Sequence, residues 1–162
     1  MKTFPYALPG LNQKVAIVTG HKQDIGLATK TLLENLGVTV VGFDLPEFDL
    51  SKLAKIETYV RSVVDEHGKI DILVNNAGII RVGNLLEISA EDMDAVLDLN
   101  FKAAMMLMKA VIPVMVKQRQ GAIINNTSRS SFDWKAAVCD LWTQQRCVGT
   151  IDEKCGAGLG AR

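Results

Sequence analysis

The chain runs Lys14-Val15-Ala16-Ile17-Val18-Thr19-Gly20-His21-Lys22-Gln23-Asp24-Ile25-Gly26 near its start, and this stretch decides the fold. The apolar and β-branched run predicts a buried strand, and Gly20 predicts the turn that ends it. Apolar residues at helical spacing follow from Ile25 to Leu36, and Gly37 predicts the end of that helix. A buried strand joined through a glycine turn to an amphipathic helix is the first unit of an open α/β sheet.

Further strands follow the same pattern. They are predicted at residues 38–43, 70–75 and 121–127, and a very short one is predicted at Phe48-Asp49-Leu50. Nearly continuous apolar strands that alternate with helices are typical of a parallel sheet covered on both faces. We therefore expect a doubly wound α/β fold with strand order 3-2-1-4-5, counting the short strand as the third.

The intervening helices have recognisable ends. Ser51 is the predicted N-cap of a helix that His67-Gly68 closes, and Ser89 is followed by acidic residues that favour a helix start. The apolar run after Ser89 contains Pro113, which predicts a break or kink. Its four methionines are expected in the core or in a subunit contact, with a binding groove as the alternative.

Composition limits the classes of function. The chain has 162 residues with 18 basic and 18 acidic side chains, so its formal charge is zero. That balance argues against nucleic acid or an anionic membrane surface as the main partner. The longest apolar stretches are strand-sized, and the first ten residues have no hydrophobic signal region, so we expect a soluble, cytoplasmic protein.

The composition changes near Phe132. All cysteines and tryptophans come after it: Trp134, Cys139, Trp142, Cys147 and Cys155. The cysteines have neither C-x-x-C spacing nor a nearby histidine, so no metal or redox site is expected. The clustering marks a boundary near Phe132.

The ends of the strands carry the candidate site. In a doubly wound sheet, ligands bind beyond the carboxyl ends of the strands, and the start of the first helix can hold a pyrophosphate. There Gly20 permits a tight turn and Gly26 permits close helix–strand packing. Asp44 ends the second strand, where its carboxylate can accept both ribose hydroxyls and repel a 2′-phosphate. The alternative for Asp44 is a solvated aspartate in the turn before Pro46. We favour the ribose role, and because a carboxylate there repels a 2′-phosphate, we expect NAD rather than NADP as the cofactor.

Four motifs in order resemble the short-chain dehydrogenase/reductase family over residues 11–131. They are Thr19-Gly20…Ile25-Gly26, Asn75-Asn76-Ala77-Gly78, Leu99-Asn100-Phe101 and Ile124-Asn125-x-x-Ser128. The resemblance implies a Rossmann-like fold and NAD-dependent hydride transfer between a secondary alcohol and a carbonyl. It also implies a small alcohol or ketone substrate and the homo-oligomeric assembly usual in that family.

The resemblance also implies roles for individual residues. A serine like Ser128 binds the substrate oxygen, and an asparagine like Asn100 holds a water in a proton relay. Asp49 and Leu50 are similar to the pair beside the adenine. The implied cofactor contacts are Gly20, Asp24, Ile25, Gly26, Asp44, Asn76, Ala77 and Gly78.

The chain departs from the family pattern in two respects. The family has a glycine where this chain has Asp24, which favours a helix start but puts a negative charge toward the pyrophosphate, weakening binding by roughly a few kcal/mol at low effective dielectric. The family's general acid is a tyrosine thirteen residues after the serine, followed four residues later by a lysine. Here those positions are Leu141 and Gln145, and no tyrosine follows Tyr59. The chain therefore has no proton donor of that kind.

A shifted reading frame accounts for the second departure. Read one nucleotide out of frame, the codons of Leu141-Trp142 can encode tyrosine, and those of Gln145-Arg146 can encode lysine, at the family's spacing. We therefore predict a nucleotide-binding domain at 1–131 and an aberrant tail at 132–162 that replaces the last strand–helix units. Two functions remain open: an NAD-dependent oxidoreductase that is inactive as written, and a non-catalytic nucleotide-binding fragment or pseudogene product.

Overall fold

The computed structural model describes residues 10–81 and 86–126 and the backbone of 148–151. The strands are β1 (Val15–Thr19), β2 (Thr39–Phe43), β3 (Ile72–Asn75), β4 (Gly121–Asn125) and β5 (Val148–Ile151). The helices are α1 (Asp24–Asn35), α2 (Ile56–His67), α3 (Ala90–Leu97) and α4 (Ala104–Gln118). A 3-10 turn at Leu53–Lys55 precedes α2, and a π-helical segment at Asp98–Ala103 joins α3 to α4.

The strands form one sheet in the order β2-β1-β3-β4-β5. The first three pairs are parallel, with Val15 opposite Thr39 and Ala16 opposite Ile72. The predicted parallel order of the four main strands is confirmed. The short strand predicted at Phe48-Asp49-Leu50 is wrong, because Phe48 follows a turn closed by its own N–H to the Asp44 carbonyl and stacks its ring on Phe43 at 4.3 Å between centroids.

The fifth strand differs from the sequence-based expectation. Residues 148–151 pair antiparallel with β4, Val148 opposite Ile124 and Ile151 opposite Gly121, although they lie in the tail where no strand is predicted. The edge of β4 presents backbone N–H and C=O groups that any extended segment can satisfy. Backbone pairing of this kind does not need an alternating side-chain pattern.

Both faces of the sheet are buried against helices. On one face, side chains of β1, β3 and β4 pack with α2 and α4, and this core contains Ile17, Leu73, Ile123, Ile56, Val60, Leu107, Val111 and Met115. On the other face Ala16, Val18 and Val74 pack against Leu33 of α1. Residues that alternate along one strand thus enter opposite cores, which explains why the strands are apolar throughout. The doubly wound α/β prediction is confirmed.

One predicted helix cap and one predicted helix break are wrong. Ser51 does not cap α2, because its hydroxyl donates to Asp49 instead and the helix begins after the 3-10 turn. Pro113 does not interrupt α4, which is continuous to Gln118; the irregularity lies earlier, in the π-helical segment. Other ends are confirmed: Gly68 closes α2 with φ of 75°, and the Ser89 hydroxyl accepts from the Asp92 N–H.

The long helical stretch at 90–118 packs one face on the sheet. Met115 is fully buried and Met106 and Met108 are partly buried against the core, as expected for core methionines, whereas Met105 is exposed. Contrary to the sequence-based expectation, the stretch is long and apolar enough to cross a membrane by length and composition. The same property is found in core helices of water-soluble proteins, and this helix supplies part of the main core.

Candidate functional site

The carboxyl ends of four parallel strands meet at one edge of the sheet. The chain passes from β1 to β2 on one side and then crosses to β3 on the other, so the strand order reverses between β1 and β3. Pairing continues beyond the strands, since the Gly20 N–H donates to the Phe43 carbonyl at 2.9 Å and the Asn126 N–H to the Asn75 carbonyl at 2.8 Å. Ligands of doubly wound folds bind at such a reversal.

The glycine turn is packed too tightly for side chains. Gly20 has φ of 64°, and a Cβ there would lie 3.0 Å from the Ala77 Cα. A Cβ on Gly26 would lie 1.9 Å from the Gly20 carbonyl oxygen. The packing role predicted for Gly26 is therefore confirmed, and the turn brings backbone close to the first turn of α1, where free N–H groups can meet an anion.

The Thr19 hydroxyl joins the glycine turn to the segment after β3. It accepts the N–H groups of Asn76 and Ala77, both at 2.8 Å, and Thr19 is 1% exposed. The Asn76 amide in turn donates to the Thr19 carbonyl at 3.1 Å. The Asn-Asn-Ala-Gly segment is thus fixed against the turn by partly buried hydrogen bonds. Sequence reasoning missed this link, although Thr19 ends the motif strand.

Asp24 stands where the backbone favours glycine. It is the first residue of α1, its φ is 46°, and its side chain is exposed. It is not the N-cap, which is Gln23, so the expected capping role is wrong. The left-handed backbone conformation disfavours side chains other than those of asparagine and aspartate, which tolerate it. Only an aspartate or asparagine could replace glycine there at small cost.

Charged residues surround the end of β2. The Asp44 carboxylate accepts the Leu45 N–H at 2.9 Å and the Lys22 N–H at 3.2 Å. The Lys22 ammonium donates to the Leu45 carbonyl and forms an ion pair of 3.0 Å with Glu47. The hydrogen bond from Lys22 holds the pKa of Glu47 below its usual value. Sequence reasoning missed Lys22 and Glu47, although their opposite charges flank the turn and Asp44.

His21 fills the space beside β2. Its ring occupies the place that a Cβ on Gly42 would need, within 2.3 Å. Burial lowers the pKa of His21, with the charge of Lys30 acting in the same direction. A neutral imidazole at this position acts as packing behind the turn.

Asn100 lies on the π-helical segment and holds the loop after β3. Its carbonyl oxygen accepts the Ile79 N–H and its amide donates to the Ile79 carbonyl, both at 2.8 Å. Irregular π-helical turns are frequent at functional sites because they re-aim a side chain. The structure thus joins Asn100 to Gly78-Ile79, whereas the water relay implied by the family resemblance stays a prediction.

Asp49 and Leu50 lie beyond the end of β2. The Asp49 carboxylate accepts both the N–H and the hydroxyl of Ser51, and the hydroxyl bond in particular lowers the pKa of Asp49. Leu50 is 5% exposed and lines a small cavity with Thr19 and Ala77. Leu50 therefore lies close to the end of β1, and the adenine role of the pair stays a prediction.

Ser128, Leu141 and Gln145 lie outside the described residues, so their predicted roles stay predictions. The described range 86–126 ends two residues before Ser128, at Asn126, whose side-chain amide donates to the Asn76 side chain at 2.9 Å. Through this bond the segment leading to Ser128 contacts the cofactor motif. Within residues 10–81 and 86–126, no three histidine, cysteine or acidic side chains converge as metal ligands.

The family model described as short chain dehydrogenase matches residues 42–139, more than half of the chain. The chain belongs to the short-chain dehydrogenase family. One relative is the 3-oxoacyl-(acyl-carrier-protein) reductase FabG of Thermotoga maritima, 36% identical over 139 residues that cover 73% of this chain and 56% of that protein. Another is galactitol 2-dehydrogenase of Agrobacterium fabrum, 35% identical over 147 residues, with coverage of 79% and 57%.

Solved structures of short-chain dehydrogenases share the architecture. The ligand-free aldohexose dehydrogenase of Thermoplasma acidophilum superposes with a TM-score of 0.70 at 28% identity, covering 73% of this chain and 50% of that one. An NAD⁺-bound xylitol dehydrogenase superposes with a TM-score of 0.69 at 30% identity, covering 74% and 54%. The chain therefore spans about half the length of the relatives it matches.

Proposed function

We propose that the site binds NAD and belongs to a cytoplasmic type of enzyme that transfers hydride between a secondary alcohol and a carbonyl, inactive in the chain as written. The observation that carries this proposal is the Asp44 carboxylate, which backbone N–H groups of Lys22 and Leu45 orient beside the glycine turn. A carboxylate there suits a ribose diol and repels a 2′-phosphate. An oxoacyl reductase and a polyol 2-dehydrogenase among the relatives are in keeping with alcohol–ketone chemistry.

The residues present fit the dinucleotide. Side chains at positions 20 and 26 would collide with neighbouring atoms, so both positions suit glycine. The backbone there is not covered by side chains, and a pyrophosphate can approach it closely. Asp44 would hold the adenosine ribose, with Asp49 and Leu50 beside the adenine. The segment Asn76-Ala77-Gly78, fixed by Thr19, would pack along the cofactor, and Ser128 and Asn100 would serve the substrate oxygen and the proton relay. NAD supplies the hydride acceptor when bound.

The proton donor is the part of this chemistry that the chain lacks. Leu141 and Gln145 occupy the positions of the family's acid and its lysine, and no tyrosine follows Tyr59 that could replace the acid. We propose that a frameshift after about residue 132 replaced them and that the 162-residue chain binds NAD without turning over alcohol. Ile124, which faces the same side of the sheet as α1, is 42% exposed, which is in keeping with loss of a covering helix.

The experiment compares the chain with its frame-restored form. The genomic sequence across codons 128–162 is read first, and one base is then added or removed near codon 132. Purified chain should bind NADH by fluorescence and show no NAD-linked alcohol oxidation, while the restored protein should oxidise secondary alcohols. Robust turnover by the chain itself, or codons that forbid tyrosine and lysine in the shifted frame, would refute the frameshift.

A second candidate function is a nucleotide-binding protein without catalysis. The same missing tyrosine favours it for the chain as written. It is distinguished by the restored gene: if that protein binds NADH but also lacks turnover, the non-catalytic function is the better description.

A further inference from the structure

The ion pair between Lys22 and Glu47 lies at the corner of the site where NAD and NADP differ. The Lys22 N–H donates to Asp44, so the lysine side chain starts beside the carboxylate assigned to the ribose. From there its ammonium turns to the Leu45 carbonyl and to Glu47, at 3.0 Å from the Glu47 carboxylate. Glu47 thus lies three residues past Asp44 and holds a lysine whose backbone N–H contacts that carboxylate.

A free lysine at this corner would oppose the selectivity of Asp44. A cation beside the ribose attracts a 2′-phosphate, whereas a carboxylate repels it. The Lys22 side chain is 45% exposed and the Glu47 side chain is 63% exposed. The long, flexible lysine side chain can therefore move if it loses the Glu47 carboxylate. The preference for NAD therefore requires both Asp44 and something that occupies Lys22.

We propose that Glu47 is a specificity-determining residue that keeps Lys22 from binding the 2′-phosphate of NADP. This inference rests on the proposed NAD-binding function. Glu47 acts in two ways at the same corner: it neutralises the ammonium, and it holds the lysine side chain beside the Leu45 carbonyl. The hydrogen bond from Lys22 also lowers the pKa of Glu47.

The test measures dissociation constants for NADH and NADPH by ligand fluorescence on the full chain. Glu47→Gln should tighten NADPH about three- to fivefold, the range expected when an exposed ion pair is released, and change NADH less than about twofold. Glu57→Gln is the matched control, because Glu57 also forms an exposed ion pair, with Arg61 at 3.1 Å on α2. That variant should leave both constants unchanged, and thermal unfolding should confirm that each variant is folded.

Lys22→Met decides how Glu47 acts. If Glu47 works by holding Lys22, the gain in NADPH affinity disappears when Glu47→Gln is made together with Lys22→Met. If the gain persists in the double variant, Glu47 merely repels phosphate and the inference is wrong. An unchanged NADPH constant in Glu47→Gln also overturns it, while failure of the unaltered chain to bind either dinucleotide refutes the proposed function and the inference with it.

Discussion

At the scale of single residues, Asp24 places a side chain and a charge where the backbone suits glycine. Its φ of 46° lies in the left-handed region, which aspartate tolerates, so its charge rather than its backbone sets its effect on binding. Because the side chain is exposed, its charge acts on a bound pyrophosphate through water, at about 1 kcal/mol rather than the larger low-dielectric value. We predict that Asp24→Gly tightens NADH about fivefold, measured by calorimetry or fluorescence.

The asparagine variant separates charge from backbone. Asp24→Asn removes the charge and keeps a side chain that tolerates positive φ, so it should show most of the gain in affinity. Asp65, exposed on α2, offers a control in which the same change should leave NADH binding as it is. Equal affinity of Asp24→Gly and the unaltered chain would show that Asp24 does not face the phosphates.

At the scale of elements, the π-helical segment ties the helix 90–118 to the loop after β3. Both polar atoms of the Asn100 side chain bind the backbone of Ile79. We predict that Asn100→Ala lowers the free energy of unfolding by about 1–3 kcal/mol, because two backbone groups lose their partners. The Ile79 N–H, which donates to Asn100 in the unaltered chain, should exchange its hydrogen faster in the variant.

Asn12→Ala is the comparison for this prediction. Asn12 is exposed, so its loss should change stability by less than about 0.5 kcal/mol and leave the Ile79 amide protected. If Asn100→Ala left the exchange of Ile79 at its original rate, the clamp between helix and loop would not be formed in solution.

At the scale of the whole molecule, the carboxyl ends of the strands form the candidate site, and Asp71 stabilises the opposite, amino-terminal ends. Asp71 is 5% exposed and accepts from Lys14 at 2.8 Å and from the Val15 N–H at 2.9 Å, with Lys69 at 3.2 Å. Burial alone raises the pKa of Asp71, but these bonds outweigh it and the pKa is lowered. The carboxylate thus joins β1 to the start of β3.

We predict that Asp71→Asn lowers the free energy of unfolding by about 1.5–3 kcal/mol at pH 7. A lowered carboxyl pKa contributes stability that is complete above the unfolded-state value of about 4 and is lost as the pH falls through the folded-state value below it. Denaturant titrations at several pH values give the free energy of unfolding of each protein. The difference in this free energy between the unaltered chain and Asp71→Asn should shrink below about pH 4. A difference that stays constant down to acid pH would contradict the assignment.

Much of the architecture and part of the site could be predicted because their causes are local. Continuous apolar strands such as 15–19 and glycine at positions 20 and 26 report directly on burial and on turn geometry. The errors came from competition between local and distant partners. Ser51 favoured Asp49 over a helix cap, and Phe48 packed on Phe43 in place of pairing its backbone. Pro113 was tolerated inside α4, while the irregularity formed where Asn100 binds Ile79.

The sequence by itself determined the family, the parallel order of the main strands and the absence of a tyrosine after Tyr59, since each follows from residue identity and spacing. Only the tertiary structure decided which polar groups meet. Thr19 and Asn76 are 57 residues apart in the chain, and Lys22 and Glu47 are 25 apart, yet the crossover between strands brings each pair into hydrogen-bond contact. Hydrogen bonds act over about 3 Å, so such pairs exist only once the sheet has aligned the strand ends.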